Sequence, residues 1–316
     1  MVVARNSRAK ICRGAIGNRI MRVAVIGKHG QLARSLMEKA PAHPGLDITV
    51  LGRPEFDLEK ADDVASLTMA AAPDVVVNAA AYTAVDQAED EPERARRING
   101  SGAAALAAAT AKIGARIIHI STDYVFDGRA NVPYREDDQT NPIGAYGRSK
   151  LEGEIGVRRE NPDHLILRTA WVYSPFGHNF VKTMIELAKT REFVSVVGDQ
   201  LGNPTSALDL AAGIVAVLEN WRMGKASGLG QTYHLAGSGE ASWFDFAIAV
   251  FDECRAYGLP AAKVGPIATA DWPTKARRPA NSRLDSSKFA ADLGFVMPPW
   301  RVSLRETVRR LRLADM

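Results

Sequence analysis

Residues Arg22–Ala33 read RVAVIGKHGQLA, and this stretch sets the architecture. Val23–Ile26 is an unbroken apolar run, the signature of a strand buried on both faces. Gly27-Lys28-His29-Gly30-Gln31-Leu32-Ala33 then forms GxxGxxA, with a helix expected from about Gln31. Glycine permits the sharp turn and lets backbone N–H groups approach a bound anion. The helix N-terminus adds partial positive charge there, and Ala33 is small enough for close helix–strand packing. Placed between a buried strand and a helix, the motif points to a dinucleotide pyrophosphate, with Gly27 and Gly30 at the turn.

Outward from this unit the same alternation repeats. Ile48–Leu51, Asp74–Asn78 (DVVVN), Arg116–Ile120 (RIIHI) and His164–Arg168 (HLILR) read as strands. Helices are expected from a cap at Asp57 to about Ala71, from about Asn99 to Ile113, and over Tyr146–Val157. Continuously apolar strands between helices predict an α/β fold, a doubly wound parallel sheet of Rossmann type with right-handed crossovers. After about Trp171 the pattern loosens. Residues 21–173 are therefore read as the dinucleotide-binding domain and 174–316 as mainly a smaller C-terminal α/β lobe for substrate. Within about 191–236, Val194–Val197, a helix from Ser206 to Glu219 and Tyr233–Ala236 are candidates to return to the main sheet.

The 316 residues suit this two-part plan, and no apolar run reaches the roughly 18 residues of a membrane span. Two cysteines, Cys12 and Cys254, form no CxxC, which suits a reducing, cytoplasmic compartment. The net charge of +4 has a local source. Residues 1–20 carry Arg5, Arg8, Lys10, Arg13, Arg19 and no acid; removing those five from the total of 40 leaves 35 basic against 36 acidic residues. A near-neutral body argues against a nucleic-acid footprint. The extension 1–20 lacks the apolar core of a secretory signal and reads as outside the fold. It is either a misplaced start, with Met21 the true first residue, or an organellar transit segment.

Two further segments carry chemistry. Ser121-Thr122-Asp123-Tyr124-Val125-Phe126 follows the fourth strand, and Tyr146-Gly147-Arg148-Ser149-Lys150 opens the next helix. The YxxxK spacing puts phenol and ammonium on one helix face. Ketone reduction needs a hydride on carbon and a proton on the developing alkoxide. A free tyrosine, with a pKa of about 10, exchanges protons poorly at neutral pH, and a nearby ammonium is expected to lower that value. Thr122 can donate to the same carbonyl oxygen. At the tip of the second strand, Leu51-Gly52-Arg53-Pro54 has no acid to read a ribose 2′-hydroxyl. Arg53 can instead pair with a 2′-phosphate, so NADPH is favoured and NADH is the alternative.

With GKHGQ (27–31), DVVVNAAAYT (74–83), AVD (84–86), STDYVF (121–126), YGRSK (146–150), RTAWVY (168–173), Asn179-Phe180, GNPT (202–205) and RPANSRL (278–284), the chain resembles the extended short-chain dehydrogenase/reductases. Within them it is similar to the dTDP-4-dehydrorhamnose reductase family, from Met21 to about Arg312. The resemblance implies reduction of the C4 ketone of dTDP-4-dehydro-L-rhamnose to dTDP-L-rhamnose. It implies Tyr146 as proton donor, Lys150 on the cofactor ribose and Thr122 orienting the ketone. Gly30, Gln31 and Leu32 would wrap the pyrophosphate, Asp57 and Leu58 meet the adenine, and Ala81, Tyr82 and Thr83 line the cofactor groove. Asp123 and Trp171 would contact the sugar; as alternatives, Asp123 is a turn cap and Trp171 is core filler. Arg278, as an arginine, suits either the nucleotide diphosphate or a surface ion pair.

Two rival functions stay open: reduction of a related dTDP-4-keto-6-deoxy sugar, and a non-catalytic nucleotide-binding regulatory subunit. Some members of the family are dimers bridged by Mg²⁺ through glutamates of the first and last helices. Ala33-Arg34-Ser35 and Val308-Arg309-Arg310 stand there in this chain, so no metal site is expected, and the protein is read as a monomer or homodimer.

Overall fold

The computed structural model describes residues 19–314. Most of the N-terminal extension, residues 1–18, lies outside that range, and the first strand begins at Met21.

Six parallel strands form the central sheet: β1 (Met21–Ile26), β2 (Leu46–Leu51), β3 (Val75–Asn78), β4 (Arg116–Thr122), β5 (His164–Thr169) and, much later in the chain, β10 (Gln231–His234). The spatial order is β10-β5-β4-β3-β1-β2. The chain order reverses beside β1, and the strand ends there open a crevice for a ligand. Val75, Val76 and Val77 are fully buried because the sheet is covered on both faces. Each such side chain contributes roughly 1.5–3 kcal/mol by leaving water.

One face is covered by α1 (Gln31–Lys39) and α8 (Ala207–Arg222), which place Leu32, Leu36, Ile214 and Leu218 in a common core. The other is covered by α2 (Ala61–Ala71), α5 (Ala103–Lys112) and α6 (Ala145–Glu160), through Val64, Leu106 and Val157. Short helices α3 (Gln87–Asp90) and α4 (Pro92–Arg96) and a π-helical turn over Arg97–Gly102 precede α5. The single helix expected from Asn99 therefore divides. Gly100 and Gly102 sit in that turn, where low helix propensity tolerates the wider winding.

The second lobe has its own core of Tyr173, Val181, Phe246, Phe251 and Leu304. It is built from α7 (Phe180–Ala188), α9 (Trp243–Ala256) and α11 (Trp300–Ala314) with short strand pairs. Of these, β6 (Val172–Tyr173) pairs with β9 (Thr205–Ser206), β8 (Leu201–Gly202) with β11 (Ala241–Ser242), and β7 (Phe193–Val197) with β12 (Lys263–Ile267). A further helix, α10 (Ser287–Leu293), packs beside β10.

Two expectations need correction. The 194–197 strand does not return to the main sheet: β7 binds β12, whereas β10 does join β5. Both are short apolar runs, and only packing decides between them. Nor does Asp57 cap the second helix. Its carboxylate accepts the Glu59 N–H at 3.1 Å in a separate turn, and α2 begins later, after Lys60. No helix among the described residues is long and apolar enough to cross a membrane.

Candidate active site

The carboxyl ends of β1, β3 and β4 line one crevice. At the end of β1, Gly27 adopts φ +118°, and a Cβ there would lie 3.1 Å from the backbone of Ala79 and Ala80. Only glycine fits this turn, which lets the loop close against the end of β3. Gly30 then starts α1, and no side chain caps the helix N–H groups. No acid stands in the first turn either, so the helix presents uncancelled positive potential to a pyrophosphate. Leu32 is buried in the core, so only its backbone can serve a ligand. The Gln31 side chain turns to the second lobe, donating to the Val172 carbonyl at 3.4 Å and accepting from Ser174 Oγ at 2.8 Å.

At the tip of β2, Arg53 is exposed and makes no hydrogen bond or ion pair to any other described residue. Lys28, which sequence reading passed over, is held beside that tip by its N–H bond to the Leu51 carbonyl at 3.2 Å and is also exposed. Leu58 lies in the core beside Phe56 and Val64, and Asp57 is half-buried above it. After β3, Ala81, Tyr82 and Thr83 form the crevice wall. Asn99 fixes it, accepting the Tyr82 N–H at 2.8 Å and donating to Ser149 Oγ at 2.9 Å. Ser149 in turn donates to the Tyr146 carbonyl at 2.7 Å, so Asn99 joins the groove wall to the helix of Tyr146 and Lys150.

Thr122 ends β4, and its Oγ donates to Asp123 Oδ1 at 2.8 Å. Asp123 is almost fully buried, and its other oxygen has no partner. Burial pushes its carboxyl up to about 7, against the bond from Thr122. Tyr146 is half-buried, lies beside Thr122 and packs edge-on to Tyr124 at 5.7 Å. Burial raises its phenol well above the ordinary range; the Thr122 hydroxyl opposes this and the Asp123 charge adds to it. Contrary to the expectation, the phenol lies above its ordinary value and not below it. The ammonium points to the Ile120 carbonyl at 2.7 Å, and burial brings Lys150 itself down to about 8 despite the charge of Glu154. A phenol that keeps its proton is a donor, which suits reduction.

The sugar side of the crevice comes from the second lobe. Trp171 has φ +46°, an uncommon value for a bulky residue. Its ring stacks on Trp243 at 3.6 Å and donates to Ser282 Oγ at 3.2 Å. Ser282 in turn donates to the Leu201 carbonyl at 3.3 Å, which ties the Trp171 ring to β8. Arg278 grips Asp86 at 2.7 and 3.2 Å, the ion-pair alternative, and holds that carboxyl below its usual range. It also lies beside Tyr124, at the rim of the site.

The Mg²⁺ site does not fit. Glu38 and Glu306 do approach from the first and last helices, yet Arg310 bridges them at 2.5 and 2.7 Å. Among the described residues no group of three or more His, Cys, Asp or Glu side chains could hold a metal.

Sequence reading missed Lys28, Asn99, Glu154, Trp243 and Ser282. Glu154 was findable, four residues beyond Lys150, and Ser282 lies inside the RPANSRL segment. Trp243 and Asn99 carry no local signal; only folding brings them in.

A glycine cradle at a helix N-terminus, with a threonine, a protonated phenol and a buried ammonium at neighbouring strand ends, defines a nicotinamide-dependent oxidoreductase of the short-chain dehydrogenase/reductase type. The family model described as RmlD substrate binding domain matches residues 21–313, and the chain belongs to that family. It is 50% identical over 296 residues to a dTDP-4-dehydrorhamnose reductase of Sinorhizobium fredii, covering 93% of this chain and 98% of the relative. The reductase of that name from Escherichia coli is 40% identical, covering 92% and 98%. A Bacillus anthracis dTDP-4-dehydrorhamnose reductase solved in complex with NADP superposes with a TM-score of 0.83 at 36% identity, covering 92% and 99%. The Clostridium acetobutylicum structure of the same description gives 0.85 at 38%, covering 94% and 100%.

Proposed function

We propose that the protein reduces the C4 ketone of dTDP-4-dehydro-L-rhamnose to dTDP-L-rhamnose, with NADPH as the preferred reductant, in the cytoplasm. The observation that carries this reading is the placement of Tyr146 beside Thr122 at the end of β4, on the helix of the buried Lys150, whose Nζ donates to the Ile120 carbonyl at 2.7 Å. A nicotinamide held in this cradle would supply the hydride that reduction of C4 requires. Thr122 Oγ orients the ketone oxygen, and the Tyr146 phenol donates its proton to that oxygen as charge develops. Lys150 Nζ holds the nicotinamide ribose. Asp123 and the Trp171 ring bind the sugar, and Gly30, Gln31 and Leu32 hold the pyrophosphate through their backbone. Arg53 and Lys28 meet the 2′-phosphate.

The test is a coupled assay with the 4-keto-L-sugar nucleotide and NADPH, following nicotinamide absorbance and product stereochemistry. Turnover confined to another 4-keto-6-deoxy sugar nucleotide would reassign the substrate. Nucleotide binding without any turnover would make the protein regulatory.

A further inference from the structure

Beneath Lys150 lies a carboxylate that none of these roles uses. Glu154 follows Lys150 by one turn of α6 and is fully buried. Its Oε1 accepts from Ser121 Oγ at 2.6 Å and from Arg168 Nε at 2.9 Å. Its Oε2 accepts from Arg168 Nη2 at 2.8 Å and from Arg158 Nη2 at 2.7 Å. Ser121 immediately precedes Thr122 on β4, and Arg168 belongs to β5. One side chain therefore ties the helix of Tyr146 and Lys150 to the two strand ends that face it.

The charges around Glu154 are Lys150 and Arg158 from its own helix and Arg168 from β5. His234 of β10 faces it too, and His119 of β4 lies beside Lys150 and Arg158. Burial holds His119 far below its ordinary value and His234 at about 3, so neither is charged near neutral pH. Two arginines thus contact one buried anion, and the Lys150 ammonium lies one helical turn away from it. A buried ammonium without an opposite charge sheds its proton.

We infer that Glu154 is the positioning residue of the site: its carboxylate fixes α6 against the end of β4 and supplies the counter-charge of the Lys150 ammonium. The inference rests on the assignment of Lys150 to the cofactor ribose for its consequence, but the electrostatic claim stands on the protein alone. Burial already brings Lys150 down to about 8, so loss of the Glu154 charge moves its titration to lower pH, into the neutral range.

The test uses Glu154→Gln, which keeps shape and loses charge, and Glu154→Asp, which keeps charge and loses reach. The titration of Lys150 is followed by NMR of the full chain labelled at the lysine ε-carbon, with Lys150→Arg to assign the resonance. In Glu154→Gln the Lys150 midpoint falls by about one pH unit or more, a tenfold change in proton affinity. The alkaline loss of kcat/KM with NADPH moves down with it. In Glu154→Asp the midpoint stays near that of the parent although thermal stability drops. If both variants lose stability and neither moves the midpoint, Glu154 is only packing and the inference is overturned. Should Glu154→Gln not fold in plain buffer, the same titration is made in sucrose, which strengthens the folded state, and an unmoved midpoint there is equally fatal. Failure of the reductase reading shows separately, as a parent protein that oxidises no NADPH with the keto-sugar.

Discussion

The Thr122 hydroxyl donates to the Asp123 carboxylate at 2.8 Å, so the group proposed to orient the ketone is itself oriented by a buried acid. That acid titrates at about 7, raised mainly by burial. Its folded pKa lies above its unfolded value of 3.8, so between those values the native state binds more protons than the unfolded chain. Stability is therefore lost as pH rises through that window, by up to about 4 kcal/mol above it. Asp123→Asn is expected to melt several degrees higher than the parent near about pH 8, and to show no such gain near about pH 4. Melting curves at the two pH values check this; an equal shift at both would place its cause elsewhere.

Tyr146→Phe removes the proton donor and leaves the ring against Tyr124. Turnover is expected to fall by roughly 10²-fold or more, with NADPH affinity little changed. Single-turnover kinetics and cofactor titration separate the two effects, and a near-normal chemical step would remove Tyr146 from its role.

Arg53→Ala is expected to lower kcat/KM with NADPH by about 10-fold or more, the scale of a hydrogen bond to a charged group, and to leave NADH almost untouched. Lys28→Ala should act in the same direction. Parallel losses with both cofactors would mean that neither side chain reads the 2′-phosphate.

A Cβ on Gly147 would overlap the Tyr124 carbonyl oxygen. That is backbone against backbone, so α6 must move away from β4, carrying Tyr146 from Thr122. Gly147→Ala is expected to cost about 1–3 kcal/mol or more in denaturant melts and to depress turnover beyond what the lost stability explains. Retention of both would show that the helix start yields without harm to the site.

Arg310 between Glu38 and Glu306 leaves those carboxylates committed to a guanidinium. Exhaustive EDTA treatment is expected to leave activity and mass in solution unchanged. A chelator-sensitive dimer seen by light scattering would show that a cation displaces Arg310.

Local pattern carried much of this protein. The unbroken apolar runs of β1, β3, β4 and β5 stated a two-face-covered parallel sheet, because period and length are local properties. GxxGxxA stated its turn, since Gly27 alone tolerates φ +118° there. YxxxK fixed which side chains share a helix face, because 3.6 residues per turn is invariant. Tertiary structure decided whatever depends on contacts between distant segments. It sent β7 to β12 and β10 to β5, two similar runs with different partners. It set Trp171 on Trp243 and joined Trp171 to Ser282, across more than a hundred residues of chain. It also set the titration of Tyr146 above its ordinary value: desolvation is a property of the folded chain, and the ammonium that the sequence names points to the Ile120 carbonyl.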